Sequence, residues 1–315
     1  MSVRKTEILI QQLEKVIYGK EEQIRLAVAA LLAGGNLLIE DVPGVGKTTL
    51  ALALARSVDL SFGRIQFTPD TLPGDITGYA TIDMRSGELR FHEGPVMNNI
   101  VLADEINRTS PKTQASLLEV MEERQVTAEG RTMPVPDPFM VIATENPVEF
   151  TGTYNLPEAQ LDRFLMRISM GYPSPTEEAE MLRTRLAGER GHDLTPVVTR
   201  EELLAMQREA AAITVSAPIR DYIVGIVTAT RESSRLTLGA SPRASLALAR
   251  AAQGWAYMQN RSYVTPEDVQ SVAPAVLTHR LVVSLEASLH KTTAADILKD
   301  CMAQVNVPPV TDLKA

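Results

Sequence analysis

The run Asp41-Val42-Pro43-Gly44-Val45-Gly46-Lys47-Thr48-Thr49 sets two glycines, a lysine and two hydroxyls between an apolar stretch, Leu37-Leu38-Ile39, and an alanine- and leucine-rich stretch from Leu50 to Ala55. Strand, Gly-rich loop and helix in that order suit a polyphosphate. The anion needs several converging N–H donors, which a wrapped main chain provides, and the start of the helix adds partial positive charge. In this reading Pro43, Gly44, Val45 and Gly46 form the wrap. Lys47 neutralises β and γ oxygens, Thr48 is a magnesium ligand, and Thr49 follows in the helix's first turn. One position departs from the common loop pattern. Its first glycine is replaced here by Asp41, whose carboxylate must turn away from any bound phosphate.

Two further sets of polar residues end apolar runs. Ile100 to Ala103 leads into Asp104-Glu105, and side chains that alternate along a strand would send these two acids to different sides. Asp104 is accordingly assigned to the magnesium shell and Glu105 to polarising water as a base. Phe139 to Thr144 delivers Glu145-Asn146-Pro147, with Asn146 placed to orient the attacking water. Ligands of open α/β sheets collect outside the carboxyl ends of the strands, where all three sets fall. In isolation the acids would read as a solvated pair and Asn-Pro as a turn. The phosphate loop turns both readings toward chemistry.

The elements that must position these groups are legible up to about residue 170. Asn36 to Glu40, Arg64 to Phe67, Ile100 to Ala103, Phe139 to Thr144 and Phe164 to Ser169 read as core strands. Because helical segments alternate with them, the expected fold is α/β, a parallel sheet between helices in an αβα P-loop core. Tyr79 to His92, around Ser86-Gly87, and Gln125 to Val135, around Glu129-Gly130, read as hairpins. Tyr172-Pro173-Ser174-Pro175 breaks the pattern, which divides the chain into a core, 1–172, and a smaller all-α domain, 173–315. Helix starts are signalled at Ser174-Pro175 with Glu177, Thr199 with Glu202, and Thr265-Pro266 with Asp268. The tail from Val305 is expected to fray.

Composition narrows the function classes. The 315 residues, 44% of them hydrophobic, are enough for a substantial core, and the formal charge of −8 disfavours broad nucleic-acid binding through phosphate neutralisation. Cys301 is the single cysteine, so an intrachain disulfide is impossible. Four scattered histidines show no metal-ligand spacing, and no Gly-x-Ser-x-Gly nucleophile motif occurs. The N-terminus reads as an amphipathic helix rather than a secretory signal, and no apolar run approaches bilayer length, which makes a cytoplasmic protein the expectation.

The combination of Gly44-Val45-Gly46-Lys47-Thr48, Arg64-Ile65-Gln66-Phe67-Thr68-Pro69-Asp70, Asp104-Glu105-Ile106-Asn107-Arg108, Ala143-Thr144-Glu145-Asn146-Pro147 and Leu161-Asp162-Arg163-Phe164 resembles the MoxR family of AAA+ ATPases, on the magnesium-chelatase-like branch. The likeness spans nearly the whole chain and includes the Asp41-Val42-Pro43 form of the Walker A loop. It implies an αβα core with a helical lid, ATP and Mg²⁺ as cofactors, and a homo-oligomeric ring, usually a hexamer, with ATP between neighbours. Arg163 would then act in trans on the next subunit's γ-phosphate, an effect worth about 10³ to 10⁵ in rate in other NTPases. Arg243, after Ser241-Pro242 at a helix start, resembles the lid arginine called sensor 2, and Tyr18-Gly19 resembles the segment that packs on adenine. The hairpins resemble pore-facing insertions. The resemblance further implies protein clients and a partner carrying a von Willebrand factor A domain. The expected function is ATP hydrolysis that drives remodelling or maturation of clients, metal or cofactor insertion included. A nucleic-acid motor on the same core and a nucleotide-gated switch with little turnover stay open beside it.

Overall fold

The computed structural model describes residues 2–85, 88–128, 131–146, 154–186 and 194–309. Ser86-Gly87, Glu129-Gly130 and Pro147 lie outside the described residues. In chain order the elements are α1 (Ser2–Glu14), α2 (Glu21–Leu32), β1 (Leu37–Glu40), α3 (Lys47–Ser57), β2 (Phe62–Gln66), α4 (Pro73–Thr77), β3 (Gly78–Ile82), β4 (Leu89–Glu93), β5 (Ile100–Asp104), α5 (Pro111–Glu123), β6 (Gln125–Ala128), β7 (Arg131–Pro134), β8 (Met140–Glu145), α6 (Glu158–Leu161) and β9 (Met166–Ile168). Helices then predominate: α7 (Pro175–Leu186), α8 (Arg200–Ala211), α9 (Ala217–Glu232), β10 (Leu236–Leu238), α10 (Pro242–Met258), α11 (Pro266–Leu277), β11 (Val282–Val283), α12 (Leu285–Leu289) and α13 (Ala294–Gln304).

The five core strands form one parallel sheet in the order β2-β5-β8-β1-β9. The three inner strands, β5, β8 and β1, carry near-continuous apolar runs because both faces are covered, as parallel sheets require, whereas the edge strand β2 alternates. Successive residues take opposite faces. Leu37, Ile39, Leu102, Ile142 and Met166 join the cluster that also holds α1 to α3 and the C-terminal helices. Leu38, Val101, Ala103, Val141 and Ala143 join a second cluster with Phe67 and the apolar side of α5. β3 pairs antiparallel with β4, and β6 with β7, so both expected hairpins form.

The C-terminal helices begin where their capping residues stand. Thr199 and Glu202 make a reciprocal capping box, and Asp268 accepts from the Thr265 N–H and hydroxyl, which satisfies main-chain donors that the helix cannot pair internally. Two departures from the sequence reading are physical in origin. β10 and β11 form a short antiparallel pair inside the otherwise helical part; at three and two residues, neither is long enough to show a period-two pattern. Val305, expected to fray, packs on the main apolar cluster beside Gly225, because the glycine leaves room for its side chain.

This helical part is tied to the sheet. The buried Arg280 guanidinium donates from Nε to Asp162 Oδ1 at 2.7 Å and from Nη2 to the Phe164 carbonyl at 2.6 Å. Gly254, inside α10, lets the helix approach α2 so closely that a Cβ there would stand 2.8 Å from the Ala29 carbonyl oxygen. Glycine costs a helix interior about 1 kcal/mol relative to alanine, so its place here reflects contact rather than propensity. Gly254→Val should therefore lower stability by about 1–3 kcal/mol through overpacking, read as a lower urea midpoint at unchanged slope.

Candidate active site

β1 and β8 run side by side to Glu40 and Glu145, and the chain leaves β1 at Asp41 to form the loop. Gly44 and Gly46 have φ of 87° and 94°, a left-handed backbone that side chains resist, and open space lies where their Cβ atoms would be. Gly46 caps α3 without any side-chain acceptor, so the first main-chain donors of that helix face the loop's concavity. Thr48 and Thr49 follow in the first turn, partly exposed.

Asp41 meets the condition set by its unusual position. Its Oδ2 accepts from Gly171 N at 2.6 Å and from Ser169 Oγ at 2.9 Å, and Oδ1 accepts from Val42 N at 2.8 Å. The carboxylate is thus turned toward the end of β9, away from the concavity. Burial alone would raise its pKa, but these bonds and Met170 outweigh burial and hold it below the ordinary aspartate value. Lys47, buried, donates from Nζ to the Asp41 carbonyl at 2.6 Å and reaches the Glu145 carbonyl at 3.4 Å. Burial lowers the Lys47 pKa, while the charges of Asp41, Asp104 and Glu105 oppose that shift.

Asp104 ends β5 with both carboxylate oxygens engaged. Thr144 Oγ1 donates to Oδ1 at 2.7 Å, and Arg64 Nη2 donates to Oδ2 at 2.7 Å. Glu105 does not continue the strand as the alternation argument assumed. It adopts φ 58° and ψ 50° and caps a 3₁₀ turn, Ile106–Arg108, with its own N–H bonded to Thr144 Oγ1 at 2.8 Å. A left-handed glutamate is a strained backbone position of the kind that gathers at functional sites. Its Oε2 accepts from Gln66 Nε2 at 2.9 Å and lies 3.3 Å from Arg108 Nε.

Arg64 also donates to Gln66 Oε1 at 2.9 Å, which closes a relay from Asp104 through Arg64 and Gln66 to Glu105. The sequence pattern alone gives Arg64 and Gln66 no separate role. Their i, i+2 spacing on β2, the strand beside β5, was the signal. Asn146, buried just beyond β8, lies at the same edge, and its carbonyl accepts from Asn107 Nδ2 at 3.4 Å.

Tyr18 lines a cavity of ≈340 Å³ with Val16, Lys20, Gly44, Gly46 and Met181. Gly19 has φ 64°, and a Cβ there would run into the Glu177 carboxylate. Lys20 Nζ donates to the Tyr172 carbonyl at 2.9 Å, which joins the α1–α2 connection to the start of the helical part. The cavity thus continues the phosphate loop on the side where the sequence reading placed adenine.

Arg163 and Arg243 are elsewhere. Arg163 precedes β9, whose Met166 pairs with Leu37 at the start of β1, whereas the loop leaves the far end of β1. At ~3.3 Å per residue the strand alone separates the two edges by roughly 10 Å or more. Both arginines line a cavity with Gly34 and Asn36 at that amino edge, and both contact Glu122 rather than Asp162. Neither can reach the phosphate loop of its own chain without a large rearrangement.

Two family models match the chain: ATPase family associated with various cellular activities (AAA) over residues 36–166, and AAA lid domain over 228–301. Chaperone MoxR1 of Mycobacterium tuberculosis is 41% identical over 98% of this chain and 84% of its own length. Protein MoxR of Methylorubrum extorquens is 31% identical over 94% of this chain and 92% of its own. The chain belongs to the MoxR family of AAA+ ATPases. The crystal structure of a candidate ATPase from Cytophaga hutchinsonii shares this MoxR fold, with a TM-score of 0.91 at 37% identity over 98% of this chain and 96% of that one.

The residues fit the nucleotide and magnesium that MoxR membership implies. The helix start at Gly46 has no side-chain cap among the described residues, open space lies where the Cβ atoms of Gly44 and Gly46 would be, and Asp104 already holds a cationic group through Arg64. Thr48 and Asp104 would hold the ion, with substrate oxygens and water completing its shell. Among the described residues no helix is long and apolar enough to cross a membrane.

Glu145 is the group at this edge with a pKa pushed far upward, to about 7. Burial is the main cause, Glu40 adds to it and Arg167 opposes it, and among the described residues Oε1 has no hydrogen-bond partner. The folded chain keeps the proton between the ordinary value of 4.5 and about 7, whereas the unfolded chain releases it. Stability therefore falls as pH rises through that window and is level above it. Glu145→Gln should remove this component. From about pH 4 to about pH 8 the stability difference between variant and wild type should move in the variant's favour by roughly 3 kcal/mol, measured by denaturant unfolding.

Proposed function

We propose that the chain hydrolyses ATP with magnesium, in a site completed by a neighbouring copy, and that turnover remodels or matures protein clients. The observation that carries this reading is the convergence, at one sheet edge, of the main-chain donors at the start of α3, the Lys47 ammonium and the Asp104-Glu105 pair. Residues 1–172 serve as the ATPase core and 173–315 as the lid. Pro43 to Thr49 bind the phosphates and Tyr18 and Gly19 border the adenine; Thr48 with Asp104 would hold the metal ion, which would supply charge stabilisation at the phosphates. Glu105 takes a proton from water that Asn146 orients.

The same reading explains why the acids are tied up in the isolated subunit. Glu105 must leave Gln66 and Arg108, and Asp104 must leave Arg64, before either can act. Substrate binding can drive that exchange only by interacting better with the released acids than the protein groups do. A copy that presents its amino edge, with Arg163 and Arg243, to the carboxyl edge of the next makes a head-to-tail contact, which closes into a ring; six subunits is the number the family resemblance favours. Cytoplasmic clients, and a partner with a von Willebrand factor A domain, belong to this reading. The acidic total charge stands against a nucleic-acid motor.

Glu105→Gln should bind ATP by calorimetry as the wild type does yet turn it over about 10²- to 10⁴-fold more slowly. Unchanged turnover would remove the base assignment and favour a switch with another trigger. Arg163→Ala and Lys47→Ala subunits, each inactive alone, should recover part of the activity when mixed, because one supplies the loop and the other the arginine. Verified mixed rings without recovery would exclude a shared site.

A further inference from the structure

Two guanidinium groups from separate parts of the chain meet on one carboxylate. Arg163 Nε donates to Glu122 Oε2 at 2.6 Å, and Arg243 Nη2 lies 3.2 Å from Glu122 Oε1. Glu122 comes from the last turn of α5, Arg163 from the turn before β9, and Arg243 from the second residue of α10. A cation so close to the N-terminus of a helix opposes the helix dipole, and a second cation beside it adds repulsion. Glu122 offsets both, and the two arginines together hold its carboxyl below the ordinary glutamate value, the bond from Arg163 being the largest cause.

Stability is a weak explanation for this triad. All three side chains are partly exposed, and ion pairs of that kind contribute little. The surrounding charge points to a ligand instead. The triad opens on a cavity of ≈390 Å³ that Arg124 and Arg250 also line. Asp162, the other acid there, is engaged by Arg280 and by the Ser241 hydroxyl. Cationic groups therefore outnumber anionic ones in the cavity, and an anion is what it would accept. Each guanidinium carries five N–H donors and spends one nitrogen on Glu122, so both keep donors for phosphate.

We propose that Glu122 is a positioning residue, which gathers Arg163 and Arg243 into a single two-armed site for the phosphate tail of the neighbouring subunit's nucleotide. This rests on the shared-site reading above. One carboxylate lets two like charges stand side by side at fixed spacing, so that neither must be ordered as the transition state forms. A carboxylate that only masked the arginines would compete with phosphate, and its loss would speed turnover. One that orders them makes the opposite prediction.

The test uses the full-length chain with Glu122→Gln, which keeps the shape and removes the charge, and Glu122→Asp, which keeps the charge. Glu122→Gln should lower kcat by about 10²-fold, the scale of a misplaced catalytic group, with KM and ATP affinity much less affected, because each neighbour's phosphate loop still grips the bound nucleotide and the ordered arginines act on charge that develops in the transition state. Glu122→Asp should recover part of that loss. Mixed with Lys47→Ala subunits, Glu122→Gln should regain activity; mixed with Arg163→Ala subunits it should not, since both then lack a working arginine face. Turnover equal to or faster than wild type, or recovery with both partners or with neither, overturns the inference. Failure of Lys47→Ala and Arg163→Ala subunits to rescue each other sinks the shared site itself, whereas their rescue alongside wild-type kcat in Glu122→Gln sinks only the role of Glu122.

Discussion

The Lys47 ammonium is held over the ends of β1 and β8 by two main-chain carbonyls, those of Asp41 and Glu145. That contact exists only because the two strands are parallel and in register to their last residues. A buried cation there needs compensation, and Asp41, Asp104 and Glu105 provide it from three directions. Loop, acids and lysine are therefore one electrostatic unit. If β1 slipped by one residue against β8, the lysine would lose its acceptors and each side chain of β1 would change faces.

Compensation within the chain runs further than the lysine. Asp104 and Glu105 are joined through Arg64 and Gln66, so neither acid is left unsatisfied in the subunit alone. Buried carboxylates without partners are costly, and a site that must later accept a cation gains from a protein cation that can be exchanged for it. Thr144 adds directionality: its hydroxyl donates to Asp104 and accepts from the Glu105 N–H, which fixes the left-handed turn that carries Glu105. The strain at Glu105 is thus supported by named bonds on the neighbouring strand.

A parallel sheet has two unlike edges. Strand ends and helix starts gather at the carboxyl edge, where phosphate is welcome; Arg163, Arg243 and Glu122 gather at the amino edge. Such polarity suits a heterologous contact between copies, because the surfaces that would meet are different patches rather than one patch meeting itself. The buried Arg280 bonds to Asp162 and Phe164 set the helical part beside the turn that carries Arg163. In the proposed ring, a movement of the helices would therefore be felt at the arginine pair.

Much of this was legible in the residues. Short strand-like runs alternating with helical segments marked the five strands, capping residues marked helix starts, and the spacing around Lys47 marked the phosphate loop, because these signals are local and depend on main-chain geometry. The family resemblance was legible too, through short motifs whose order survives in one dimension. What the sequence could not convey depended on contacts between distant residues. The direction of the Asp41 carboxylate was settled by Ser169 and Gly171, and the turning of Glu105 out of its strand accompanies the bond from its N–H to Thr144. The removal of Arg243 from its own phosphate loop, and its meeting with Arg163 on Glu122, followed from how α10 packs against α2. Local pattern specifies which elements form, while the direction of a charged side chain is a sum over partners that only the packed chain brings within reach.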